Sequence, residues 1–163
     1  MMCAMDLDAV RRLEDAGDVA GLAEVLLHPR FETVGDVKLA GEAAGQALGG
    51  LPYKSVHALD LNSLQRLDVN ADERTAAAAA LGRLGTKEAA QALIDGLKDL
   101  VPAVRLAVCG ALEAAAVKMK GEKARLPYGL RSDVEWEIKL GKRELEGFKL
   151  LERQTELERY FDL

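Results

Sequence analysis

Two histidines are the side chains of this chain best suited to bind a metal ion. His28 precedes Pro29 and His57 precedes Ala58, and neither has neighbouring carboxylates or cysteines at the spacing of a metal site. We therefore predict no metal ligand among them, and a role at the surface or at a helix end for both.

The two cysteines are the remaining candidates for covalent chemistry. Cys109 lies among small residues, where a cysteine ordinarily acts as a small buried hydrophobe. A nucleophile needs a base and a lowered pKa, and nothing adjacent in sequence supplies either. The chain also lacks a Gly-x-Ser-x-Gly elbow, a Walker loop and a dinucleotide fingerprint. We predict no catalytic residue and no cofactor, which argues against an enzyme.

A run of basic residues in the stretch 118–131 is the best candidate for electrostatic binding. It contains five cations and the single carboxylate Glu122. The ordinary interpretation is a solvated linker, because charge runs are usually just exposed. The sharper interpretation is a site for an anionic partner or for nucleic acid. Its candidate anion-binding residues are Lys118, Lys120, Lys123 and Arg125.

Composition favours helices packed on helices. Of 163 residues 49% are hydrophobic but only 4% aromatic, so Ala, Leu and Val must build the core through close backbone approach. The net charge of −5 argues against nonspecific nucleic-acid binding. No apolar run is long enough to cross a membrane. Cys3 and Cys109 form no disulfide framework, and residues 1–5 lack the features of a secretory signal, so we predict a cytoplasmic protein.

One sparse pattern occurs three times and indicates stacked helical units. An acidic residue is followed six positions later by a basic one, then by small residues, with steps of 36 (positions 32 to 68) and 31 (positions 68 to 99) residues. The three pairs are Glu32 and Lys38, Asp68 and Arg74, and Asp99 and Arg105. The pattern predicts small-residue helices over 36–48, 72–84 and 102–116.

The last third of the chain does not show the repeat pattern. We predict repeats over 1–117, a basic linker over 118–131, and one long amphipathic helix over 132–163 that packs on the repeats or covers their end. Ser132 stands three residues before Glu135, which is typical of a capping box. Trp136, the single tryptophan, is predicted to dock this helix on the repeats.

The copy from Asp99-Leu-Val-Pro-Ala-Val-Arg105-Leu-Ala107 to Leu112 resembles the HEAT repeat, particularly the phycobilisome-lyase-type HEAT-like repeats. Asp68 to Gly85 fits almost as well and Glu32 to Gly50 more loosely, so the resemblance covers residues 18–117. It implies an all-α, right-handed α-α superhelix. It also implies that Asp68, Arg74, Asp99 and Arg105 form a structural ladder rather than a catalytic site.

The resemblance implies a non-catalytic protein-interaction module or scaffold. The alternating charges of the C-terminal helix, which lies outside the resemblance, permit a coiled-coil-like pairing, so we predict a monomer or a homodimer through that helix. In the family the second helix of each pair lines the concave side. The partner-binding residues implied on those helices are Glu24, His28, Gln65, Arg66, Gln91, Asp95 and Lys98. Two alternatives stay open: a subunit of a chromophore-lyase-type enzyme, and nucleic-acid binding through the basic linker.

Overall fold

The computed structural model describes residues 7–28, 70–127, 129–140 and 146–163, and within these ranges all regular structure is helical. The helices are α1 (Leu7–Asp15), α2 (Val19–Leu27), α3 (Ala71–Leu84), α4 (Lys87–Gly96), α5 (Pro102–Lys120), α6 (Leu130–Leu140) and α7 (Gly147–Phe161). The predicted all-α class is confirmed. Several predictions fall outside the described ranges, namely those on Cys3, Glu32–Gly50, His57, Gln65, Arg66 and Asp68.

Residues at the helix ends explain where the helices begin and stop. The Asp18 carboxylate accepts a hydrogen bond from the Gly21 backbone N–H at 2.9 Å and caps α2. The Thr86 hydroxyl oxygen accepts one from the Ala89 N–H at 3.1 Å and caps α4. Gly85 ends α3 at a φ of +58°, the left-handed conformation that glycine adopts without strain.

Helices α3 and α5 run side by side and parallel. Arg74, near the start of α3, binds Asp99, which lies just before α5. At the other end, the Lys118 ammonium of α5 donates a hydrogen bond to the Arg83 carbonyl oxygen of α3 at 2.7 Å. Parallel neighbours are expected for the first helices of consecutive repeats.

Small residues permit close contact between these two helices. A Cβ built on Gly82 of α3 would lie 2.7 Å from the backbone oxygen of Ala111 in α5. Atoms cannot approach so closely, so the contact requires glycine at this position. The close approach of helices through small residues, predicted from composition, is confirmed here.

Helix α4 forms a second layer together with α2. A Cβ on Gly96, at the end of α4, would lie 3.0 Å from the Leu26 side chain of α2 and 3.2 Å from Val108 of α5. Leu22 and Leu26 of α2 and Leu93 of α4 are completely or almost completely buried between the layers. The two layers therefore share one apolar core.

The α1–α2 pair packs directly on α3 and α4, although residues 29–69 separate the pairs in sequence. The Arg83 guanidinium of α3 donates to the Glu14 carboxylate of α1, with Nη2 to Oε2 at 2.8 Å. The Asn70 side-chain amide donates to the His28 carbonyl oxygen at 3.1 Å. In this stack α1 and α3 form one layer, and α2 and α4 the other.

The C-terminal region differs from the single long helix predicted over 132–163. Glu146 is extended, with φ −145° and ψ 162°, and Gly147 has a φ of +54°, so α7 is separate from α6. Helix α5 continues to Lys120 and α6 begins at Leu130, which leaves a shorter connection than predicted. Ser132 therefore lies inside α6, and its predicted role as an N-cap is wrong.

Trp136 does not dock α6 on the repeats, because 50% of its surface is exposed. The buried side chains of this region are instead Val134 of α6 and Leu157 and Phe161 of α7. A polar side chain adds to them, since the Gln154 amide of α7 donates to the Ile94 carbonyl oxygen at 3.1 Å. The sequence offers two offset apolar stripes in this region. Buried Leu157 and Phe161 belong to the same stripe as Trp136, and Val134 belongs to the other, so the packed face takes residues from both stripes.

Helix α7 runs antiparallel to α4. Gln154 meets Ile94 near the end of α4, while the Lys87 ammonium at the start of α4 donates to the carbonyl oxygen of Asp162, just past the end of α7, at 3.1 Å. Consecutive second helices of a repeat stack should run parallel. Helix α7 therefore packs on α4 without continuing the row of second helices, while α6 packs on α5.

Candidate functional site

A buried pair of charges joins consecutive repeats. The Arg74 guanidinium donates to both carboxylate oxygens of Asp99, with Nε to Oδ2 at 2.8 Å and Nη2 to Oδ1 at 3.1 Å. Arg74 is 0% exposed and Asp99 6%. Because a bidentate contact satisfies the planar guanidinium, the pair can be buried without a free charge.

Further hydrogen bonds extend this contact into a ladder. Asp99 Oδ1 also accepts a hydrogen bond from the Val101 N–H at 2.9 Å, just ahead of α5. The fully buried Arg105 donates to the Asp99 backbone oxygen, and Arg74 donates to the Asn70 side-chain oxygen. These residues hold the repeats together, and the pocket that Asp99 lines has a volume of only about 10 Å³, which agrees with the structural role that the resemblance implied.

The predicted partner-binding residues that are described lie on two solvent-facing stripes. On α4 the exposed or half-buried stripe is Glu88, Gln91, Asp95 and Lys98, at helical spacing. On α2 the exposed positions Ala20, Glu24 and His28 recur every fourth residue. The His28 ring Nδ1 lies 2.8 Å from the Glu24 carbonyl oxygen, so this side chain also closes the last turn of its helix.

A second surface was not predicted as a unit. An open cleft of about 880 Å³ lies between the end of α3, one face of α5, and residues 124–127 and 129–132. We call it the basic cleft, because four of its lining residues are cations and one is an anion. The charged residues that line it are Arg83, Lys118, Arg125, Arg131 and Glu113.

Two of these cations are already neutralised by carboxylates. Arg131 binds Glu113 with two contacts of 2.9 Å, and this hydrogen bond raises the pKa of Arg131. Arg83 binds Glu14, which raises the pKa of Arg83 and lowers that of the Glu14 carboxyl. The positive charge left for a ligand therefore comes from Lys118 and Arg125.

Lys118 and Arg125 contact only carbonyl oxygens within the described part of the chain. Lys118 donates to the Arg83 carbonyl at 2.7 Å, and Arg125 donates to the Ala124 carbonyl at 2.8 Å and the Glu122 carbonyl at 3.3 Å. The other two predicted anion-binding residues are outside the cleft: Lys120 lies 3.6 Å from Asp162, and Lys123 is exposed. Of the four predicted anion-binding residues, Lys118 and Arg125 therefore line the cleft, whereas Lys120 and Lys123 do not.

Cys109 lies at the floor of the basic cleft but is buried. Burial raises the pKa of its thiol to about 12, so the thiol stays protonated at neutral pH. A protonated thiol is a poor nucleophile and a poor metal ligand.

The described residues contain neither a cluster of potential metal ligands nor a helix that could span a membrane. Residues 7–28, 70–127, 129–140 and 146–163 hold no group of three or more His, Cys, Asp or Glu placed to bind a metal ion. The same residues include no helix both long and apolar enough to span a bilayer.

A family model described as HEAT repeats matches residues 61–139 of the chain. The chain belongs to the HEAT-repeat family over this segment. Comparisons with curated proteins and with solved structures found no match. The HEAT segment includes α3, α4, α5 and nearly all of α6, so both the buried ladder and most of the basic cleft belong to it.

The family match names HEAT repeats in general, so the phycobilisome-lyase type stays a prediction, as does the right-handed superhelix. The sequence did not identify Arg83, Arg131 and Gly110 as residues that line the cleft. Arg83 was seen only as part of a repeat ending, Arg131 only as the end of a basic run, and Gly110 only as a small packing residue. The available signal was the spacing of Gly110 and Glu113, which places both on one face of α5.

Proposed function

We propose that this chain is a non-catalytic protein-interaction module of the HEAT type. HEAT repeats generally mediate protein–protein interaction or act as scaffolds. One observation carries the proposal for this chain: buried Asn70, Arg74, Asp99 and Arg105 are engaged with one another in the ladder, while α2 and α4 each leave one stripe with polar side chains to solvent. A surface of this kind suits a protein partner better than a reaction.

The partner surface that we propose is formed by both stripes. It includes Glu24 and His28 on α2, and Gln91, Asp95 and Lys98 on α4. Its two helices are held rigidly by the core, because Leu26 and Gly96 are in contact between them. A rigid surface loses little conformational entropy on binding.

Affinity purification from the native source with quantitative mass spectrometry tests this surface. The variant is Asp95→Lys, and Glu122→Lys is its control, because it makes the same change of charge at an exposed residue outside both stripes. Both variants should keep the melting temperature of the wild type. Loss of a partner from Asp95→Lys alone supports the surface, whereas retention of every partner by Asp95→Lys would refute it.

A homodimer through the C-terminal helices is proposed as a second mode of assembly. Phe148 is 80% exposed and Leu151 60% exposed, one turn apart on α7. Exposed apolar side chains in one place favour association. Light scattering should give a dimer mass for the wild type and a monomer mass for Phe148→Ser. A monomeric wild type at about 100 μM, a concentration at which even weak dimers form, would contradict the proposal.

A further inference from the structure

We propose that the basic cleft binds an extended acidic segment of a partner protein, with acidic side chains on its rim and an apolar side chain on its floor. The proposal deepens the proposed function, on which it rests for the kind of partner. It concerns a different surface from the stripes on α2 and α4. Its evidence is the shape, the glycine content and the charge of the cleft.

The cleft has the size and lining of a binding site. Its volume of about 880 Å³ is within the roughly 300–1,000 Å³ of ligand sites. Val117, Leu126 and Leu130 give it apolar walls. Being open to solvent, it accepts a chain that enters and leaves, which an enclosed cavity would not.

Gly110 gives an independent indication that something approaches the floor. It lies in the middle of α5, where glycine is less stable than alanine by about 0.5–1 kcal/mol. A Cβ at this position would meet only Arg131 Nη2, at 3.8 Å, so nothing within the described chain requires glycine there. Gly82 is different, because a Cβ there would collide with Ala111. An unexplained helical glycine that faces a cleft suggests close approach by a ligand.

The charges at the rim select an anionic partner. Lys118 and Arg125 have only carbonyl oxygens as partners in the described chain, and these carbonyls do not neutralise them. Carboxylates of a bound segment would form charge-assisted hydrogen bonds with both. The pairs of Arg83 with Glu14 and of Arg131 with Glu113 are each neutral, so Lys118 and Arg125 supply the attraction for an anion.

A protein segment fits these features better than nucleic acid. The cleft contains the carboxylate Glu113, and the chain as a whole carries a net charge of −5. Both oppose a polyanionic backbone with a phosphate at every step. An acidic segment needs only two or three charges, and its apolar side chain gains from the walls of the cleft.

Fluorescence anisotropy with labelled synthetic peptides tests the proposal directly on the full chain. The probe is a seven-residue peptide that alternates Glu and Leu. The matched probes are the Lys–Leu and Glu–Ser versions, together with a labelled single-stranded oligothymidylate. We expect saturable binding of the Glu–Leu peptide alone, weakened more than about tenfold by Lys118→Glu and by Arg125→Glu.

A floor-filling variant makes the test independent of charge. Gly110→Leu places a side chain into the open cleft without a clash at Cβ, so it should fold and abolish binding. Gly110→Ala, the control, should fold at least as well and bind only slightly more weakly. Thermal unfolding of both variants confirms that they are folded.

The contradicting outcomes are equally definite. Unchanged affinity in Gly110→Leu, equal binding of the Lys–Leu peptide, tighter binding of the oligonucleotide, or no saturation by the Glu–Leu peptide would each overturn the cleft proposal. None of them bears on partner loss in Asp95→Lys. The failure of this inference is thus distinguishable from failure of the proposed function.

Discussion

Removing the Asp99 carboxylate is the most direct test of how this chain holds its repeats together. Asp99→Ala leaves the guanidinium of Arg74, which is 0% exposed, without its two carboxylate contacts. The same change removes the acceptor of the Val101 N–H. Because the rest of the site is buried, water cannot easily replace either set of hydrogen bonds.

The expected cost follows from the burial of the pair. Breaking a buried ion pair by removing one partner costs about 3–5 kcal/mol, since the remaining buried charge loses hydrogen bonds that water cannot replace. At about 2–4 °C per kcal/mol for a chain of this size, the melting temperature should fall by about 6–20 °C. Removing both charges with Arg74→Met and Asp99→Ala should cost less than the single Asp99→Ala, because the Arg74 charge is removed together with its partner.

Urea and thermal unfolding followed by circular dichroism measure these differences. The control is Glu14→Ala, which breaks the pair with Arg83, whose side chain is 60% exposed, and should cost less than about 1 kcal/mol. If Asp99→Ala costs under about 1 kcal/mol, or if the double variant is less stable than Asp99→Ala, the argument from burial is wrong.

Three further predictions concern single residues. Gly82→Ala should destabilise the protein by about 1–3 kcal/mol through overpacking, whereas Gly110→Ala should stabilise it by about 0.5–1 kcal/mol; unfolding curves that show the reverse order would contradict this. In a Cys3→Ser background the Cys109 thiol, with its pKa raised to about 12, should react with a disulfide reagent at pH 8 only after unfolding, and rapid native labelling would contradict its burial. The lowered pKa of Glu14 should stabilise the fold above its unfolded pKa of about 4.3, and this stability should disappear as pH falls through the lower folded pKa; a difference from Glu14→Gln that persists at pH 2 would contradict it.

Periodic residues made the repeat units predictable from sequence. The caps at Asp18 and Thr86 and the stop at Gly85 depend on neighbouring backbone groups alone, so local reasoning is sufficient to place such features. The six-residue spacing of Asp99 and Arg105 was also visible in the sequence. Which carboxylate each arginine binds depends on the packing of one repeat on the next, and the family resemblance supplied that expectation.

The C-terminal region was less predictable because its pattern fits two arrangements. The charged stretch after Ser132 contains apolar residues on two offset stripes, so sequence alone did not decide which residues pack. The buried residues are Val134 from one stripe and Leu157 and Phe161 from the other, and Trp136 is left half exposed. The basic cleft was missed for a related reason, since it forms only when residues 124–127 and 129–132 return across α5.

The reversed direction of α7 explains why the stack ends at this point. A further repeat would require a second-layer helix parallel to α4, with its start beside Lys87. The end of α7 lies there instead, because Lys87 donates to the Asp162 carbonyl and the Lys120 ammonium lies 3.6 Å from the Asp162 carboxylate. The same return of the chain brings residues 124–127 and 129–132 across α5 and creates the basic cleft. The end of the repeat stack and the candidate binding cleft thus follow from one change in chain direction after Lys120.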